Sequence, residues 1–109
     1  MILGKDKLFS ILREVRGQLE AIYGTRLVAM YLYGSYARGE AEDDSDIDVA
    51  VVLEGPPNFS EEWARTNAMW SAISLRENCL LADTYISRED FEKRPYAIHR
   101  SIAREGIAI

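Results

Sequence analysis

Leu8, Ile11, Leu12, Val15, Leu19 and Ile22 recur every three or four residues, the stripe of an amphipathic helix. This spacing predicts a first helix over about 7–23, with Asp6 as its N-cap and Gly24 as its stop. The pattern then changes. Residues 26–33, from Arg26 to Tyr33, are apolar at nearly every position, as expected of a strand buried on both faces, and Gly34 ends the run. Residues 35–38 open a short helical segment, and 39–45 form a polar, strongly acidic loop. Val49, Val51 and Val52 give residues 46–53 the β propensity of a second strand. Beyond Pro56-Pro57, a helix capped by Ser60 carries Trp63, Met69, Trp70 and Ile73 and ends near Asn78. Residues 79–86 read as a third strand. Ser87-x-x-Asp90 has the form of a capping box for a short helix, Pro95 breaks it, and a last helix over about 96–105 stops at Gly106. The order α-β-(α)-β-α-β-α predicts an α+β fold, an α/β sandwich in which helices pack against a small mixed β-sheet.

Composition narrows the setting. A chain of 109 residues, taken here as a single domain over 1–109, is long enough to bury a real core. Its net charge of −5 argues against non-specific DNA binding, which needs a basic footprint. The sign suits a basic protein partner, or a nucleotide arriving with its magnesium. The single Cys79 beside Leu80 and Leu81 excludes an internal disulfide and predicts a buried thiol in a reducing compartment. The start lacks an apolar signal core, and no apolar run nears the ~18 residues of a membrane span. The expected location is the cytoplasm.

The chemistry is concentrated between Gly34 and Leu53. Asp46 and Asp48 are separated by one residue and follow Gly34-Ser35 after ten others. Strand residues i and i+2 share a face with Cα atoms about 6–7 Å apart, so both carboxylates can close on one ion or an ion pair. Gly34 lets backbone approach a phosphate, Ser35 adds N–H and hydroxyl donors, and Arg38 can neutralise a leaving pyrophosphate. Asp83 stands mid-strand among apolar neighbours, where a charge needs a partner or a metal. If the third strand lies beside the second, Asp46, Asp48 and Asp83 are expected to converge. Two other motifs fail by spacing: Glu40 and Ala41 replace the Lys and Ser/Thr of a P-loop, and Val49 replaces the essential glycine of an EF-hand beginning at Asp44.

Gly34-Ser35-x10-Asp46-x-Asp48, with Ala37-Arg38-Gly39 between, resembles the minimal nucleotidyltransferase family of the DNA polymerase β superfamily. The resemblance is specific over residues 31–53 and extends loosely through Asp83 to Ile102-Ala-Arg-Glu-Gly-Ile. It implies a transferase moving AMP, or another nucleoside monophosphate, from ATP to a hydroxyl. Two Mg2+ ions would be held by Asp46, Asp48 and Asp83, and the triphosphate by Gly34 and Ser35. Short members of the family resemble antitoxins that adenylylate a tyrosine of a HEPN-family ribonuclease toxin, which implies a protein partner and a hetero-oligomer. A non-enzymatic antitoxin and a small-molecule nucleotidyltransferase are the alternatives. The family's chains often end in an aromatic residue where this one ends Gly106-Ile-Ala-Ile, which puts docking of the C-terminus in question. Among the remaining residues, Glu40, Glu42, Asp43 and Asp44 read as a solvated loop, and His99 as structural or exposed. Cys79 reads as packing, and the aromatic residues, Tyr36 included, as core or interface.

Overall fold

The computed structural model describes residues 2–109. Helix α1 (Lys5–Tyr23) follows the stripe seen in the sequence: Leu8, Ile11, Leu12, Val15, Leu19 and Tyr23 are its buried residues. Ile22, expected on the same stripe, lies at its margin and is exposed. The helix begins two residues earlier than predicted. Gly4 is the N-cap and Asp6 sits inside the first turn, where its charge favours the positive end of the helix. Gly24, at φ +57°, stops the helix, and one 3-10 turn (Gly24–Arg26) leads into β1 (Leu27–Tyr33).

After β1 come α2 (Ser35–Arg38), β2 (Ile47–Leu53), α3 (Phe59–Glu77) and β3 (Leu81–Ser87). Helices α4 (Arg88–Lys93) and α5 (Ala97–Glu105) and the two-residue strand β4 (Ile107–Ala108) complete the chain. The sheet order is β3-β2-β1-β4. β2 runs antiparallel to β1 and parallel to β3, and β4 pairs antiparallel with β1 through Leu32↔Ile107 and Tyr31↔Ala108. The mixed sheet was expected; β4 was not, because two residues carry no readable pattern. Its pairing answers the question of the C-terminus. The last residue is docked, with Ile109 N–H donating to the Met30 carbonyl and its own carbonyl accepting from Arg16.

Alternation along the strands divides the interior in two. Met30 and Leu32 of β1 and Ile47, Val49, Val51 and Leu53 of β2 face α1 and α3 in the main core. On the other face Ala50 and Ile86 pack with Ile102 of α5, flanked by Tyr31, Tyr33 and Phe91. Tyr31 and Phe91 stack with ring centroids 5.0 Å apart. Among the described residues no helix is long and apolar enough to cross a membrane.

The caps explain the other shifts of boundary. α3 is capped by Asn58, whose side chain accepts from Glu61 N–H, and Ser60 falls inside the first turn. At its end Asn78 takes a left-handed conformation and Cys79 N–H closes onto the Ser74 carbonyl, so β3 starts at Leu81 rather than Cys79. Ser87 caps α4 as predicted, accepting from Asp90 N–H at 3.0 Å. Cys79 itself is half-buried, and His99 is buried, its Nδ1 facing Tyr96 N–H.

Glu62 of α3 is fully buried, an arrangement the sequence did not announce. Burial alone would push its carboxyl up; Asn58 N–H, Arg65, Tyr23 and Arg26 outweigh that and hold it below the usual range. Tyr23 donates at 3.1 Å, Arg65 at 2.7 Å and Asn58 N–H at 2.9 Å. The network ties the start of α3 to the end of α1 and the entry of β1.

Candidate active site

The site grows from the turn between β1 and α2. Gly34 sits at φ +77° and ψ −156°, backbone that only glycine adopts without strain. A Cβ built on Gly34 would overlap the Asp48 carboxylate oxygen. The missing side chain thus serves two purposes, allowing the turn and letting Asp48 lie against it. Ser35 opens α2, and Gly39, at φ +72°, closes it.

Asp48 lies in β2 opposite Tyr33 of β1 and beside Ala82 of β3, on the face toward α5. Asp46 is exposed, just ahead of the strand. Burial first, and then the nearby charge of Asp46, pushes the Asp48 carboxyl above its usual range, with Arg38 pulling the other way and Glu105 adding to the rise. Two carboxylates held together with one partly desolvated invite a cation. Mg2+ commonly takes one or two protein carboxylates and completes its shell with substrate phosphates and water, so this pair fits such an ion. Tyr33 and Thr84, joined at 3.0 Å through their hydroxyls, lie next to it on the same face.

Asp83 is placed elsewhere. The parallel register sets it beside Val49, one residue out of phase with Asp48, and therefore on the opposite pleat. It shares that face with Tyr85, whose hydroxyl meets Thr66 at 2.6 Å and Trp70 Nε1 at 3.0 Å. Asp83 Oδ2 is buried and has no hydrogen-bond partner. The condition set for convergence, β3 beside β2, is met, but the register turns Asp83 to the other face. Among the described residues no three acidic, histidine or cysteine side chains form a metal-sized cluster.

The expected phosphate donors are together, and they meet a residue that was not foreseen. Gly34 N–H donates to Glu105 Oε1 at 3.1 Å. Arg38 donates through Nη1 to both oxygens of Glu105, at 3.1 and 3.3 Å, and through Nε to Glu40 at 3.1 Å. Glu105 is the last residue of α5. The only signal for it was its position in Ile102-Ala-Arg-Glu-Gly-Ile, since nothing in its spacing links it to Gly34. A groove of about 550 Å³ opens beside Asp46, bounded by Tyr36, Ser45, Ser74, Asn78 and Cys79.

Residues 12–102 match the family model described as "Nucleotidyltransferase domain". The chain belongs to this family. Over 76 residues it is 30% identical to the Methanocaldococcus jannaschii protein named "Putative protein adenylyltransferase MJ0141", covering 70% of this chain and 76% of that one. It is 37% identical over 58 residues to protein adenylyltransferase MntA of Thermococcus cleftensis, covering 53% of this chain and 57% of that protein. A crystal structure described as a toxin–antitoxin with AMP-PNP has a chain of the same fold, with a TM-score of 0.57 at 20% identity over 97% of this chain and 72% of its own. The nucleotidyltransferase fold and the α+β reading of the sequence therefore agree.

Proposed function

We propose that this nucleotidyltransferase moves AMP from ATP to a hydroxyl of a partner protein, a tyrosine of a HEPN-family ribonuclease toxin, and so acts as the antitoxin. The observation that carries the reading is Asp48 set against Gly34, with the Asp46 charge close enough to raise its carboxyl, a carboxylate pair beside a turn that offers phosphate donors. The names of the two adenylyltransferase relatives support the reaction, and the toxin–antitoxin description of the structural neighbour supports the partner.

In this reading the turn at Gly34 and Ser35 holds the phosphate chain, and Arg38 neutralises the pyrophosphate as it leaves. Asp46 and Asp48 are the residues that would hold two magnesium ions. When bound, the ions supply charge neutralisation at the phosphates and make the acceptor hydroxyl easier to deprotonate. The acceptor oxygen bonds to the α-phosphorus, the bond to pyrophosphate breaks, and the hydroxyl proton passes to solvent. Asp83, facing α3, is left out of this set. The chain's own contribution is positioning and electrostatics, which is most of what phosphoryl chemistry needs.

Intact-mass spectrometry of the toxin after incubation with this chain, ATP and magnesium tests the proposal. A gain of AMP units that disappears with Asp46→Asn/Asp48→Asn is expected. Neutralisation that survives this double substitution without any mass gain would replace the transferase by a binding-only antitoxin.

A further inference from the structure

We infer that Glu105 competes with the nucleotide for the phosphate site: its carboxylate and a phosphate oxygen require the same donors, Gly34 N–H and the Arg38 guanidinium. The inference rests on the reading of that turn as the triphosphate site. One backbone N–H points one way and serves one acceptor well, and Glu105 Oε1 already takes it at 3.1 Å. The same oxygen and its twin accept from Arg38 Nη1. A carboxylate bridging an N–H and a guanidinium has the charge and the acceptor pattern of a bound phosphate edge.

The placement of Glu105 argues against an incidental surface pair. Its side chain is only 16% exposed, whereas that of Glu40, the other partner of Arg38, is 65% exposed. As the last residue of α5 it sits where the helix dipole disfavours negative charge, and its charge acts on the Asp48 carboxylate. It is nonetheless held there from both sides. Ile102 is fully buried in the smaller core one turn earlier, and β4 is paired to β1 immediately after. Gly106 permits this, because a Cβ there would crowd the Ile102 carbonyl and Tyr31. With the backbone anchored, Glu105 gives up the site by turning its side chain, and α5 need not unfold. Binding of the triphosphate then costs the Glu105 contacts, and departure of pyrophosphate is helped by their return.

The test is calorimetric titration of the full chain with magnesium ATP, magnesium pyrophosphate and adenosine, using wild type, Glu105→Gln, Glu105→Ala and Glu40→Gln. Competition predicts that both Glu105 variants bind ATP and pyrophosphate roughly three- to tenfold more tightly, the scale of one displaced charged contact. Adenosine, lacking phosphate, should bind as to wild type. Glu40→Gln removes the same charge from the same arginine but frees no backbone donor, and it should change affinity less than about twofold. Glu105 variants that bind like wild type or more weakly overturn the inference, as does an equal gain in Glu40→Gln, which would mark a general charge effect. If folded wild type and variants all fail to bind ATP and pyrophosphate, the phosphate-site reading itself falls and the competition with it.

Discussion

At the scale of single residues, the proposed site sets stability against chemistry at Gly34 and Asp48. Gly34→Ala forces a side chain onto φ +77° and against the Asp48 carboxylate. The expected cost is about 1–3 kcal/mol, read as a lower melting temperature, together with displacement of Asp48 and loss of transfer. Asp48→Asn should do the opposite to stability. Ionised Asp48 is penalised by burial and by Asp46, so the neutral amide should melt a few degrees higher when both proteins are compared without divalent cations. Its transfer rate should fall by roughly 10²–10³-fold, the usual price of one electrostatic group at a reacting phosphate. A variant that melts lower and keeps activity would remove Asp48 from the site.

Among the elements, α3 has the least obvious anchor. It is held at its start by the buried Glu62 carboxylate, and Glu62→Gln keeps the shape while removing the charge that Arg26 and Arg65 meet. A loss of about 1–3 kcal/mol at neutral pH is expected from chemical denaturation. The pH dependence has a definite sign. The folded pKa of Glu62 lies below the unfolded one, so its contribution is full above the unfolded value, about 4.3, and disappears as pH falls through the folded value. The gap between wild type and Glu62→Gln should therefore close in acid. A gap constant from neutrality to below pH 4 would assign the loss to packing rather than to charge.

For the molecule as a whole, the acidic pair lies at the start of β2, an interior strand, and the apolar core does not depend on it. Leu12, Val49 and Ile102 are fully buried with no polar partner to satisfy, so chelation with EDTA should abolish transfer while leaving the far-ultraviolet circular dichroism unchanged. If the folded pair holds magnesium as proposed, added magnesium should raise the melting temperature of wild type by linkage. The same addition should leave Asp46→Asn/Asp48→Asn where it was. A magnesium shift that persists in the double variant would locate the ion elsewhere.

Several features were legible from the chain alone because their physics is local. The 3.6-residue stripe of α1, the apolar runs of β1 and β2, and the glycine stop at Gly24 each depend on neighbours a few positions away. The Gly34-Ser35 turn and the Asp46/Asp48 pair were readable for the same reason, being joined by a short loop and two adjacent strands. Asp83 and Glu105 were decided by distant pairings. One residue of register between β2 and β3 turns Asp83 toward α3, and period-two alternation within β3 gives no means of knowing which phase will pair with Asp48. Glu105 reaches Gly34, 71 positions away, only because Ile102 seats α5 on the sheet and β4 fastens its end to β1. Local pattern determined the elements and the carboxylate pair, whereas side-chain direction across the sheet belongs to the packed molecule, where burial selects one register among many.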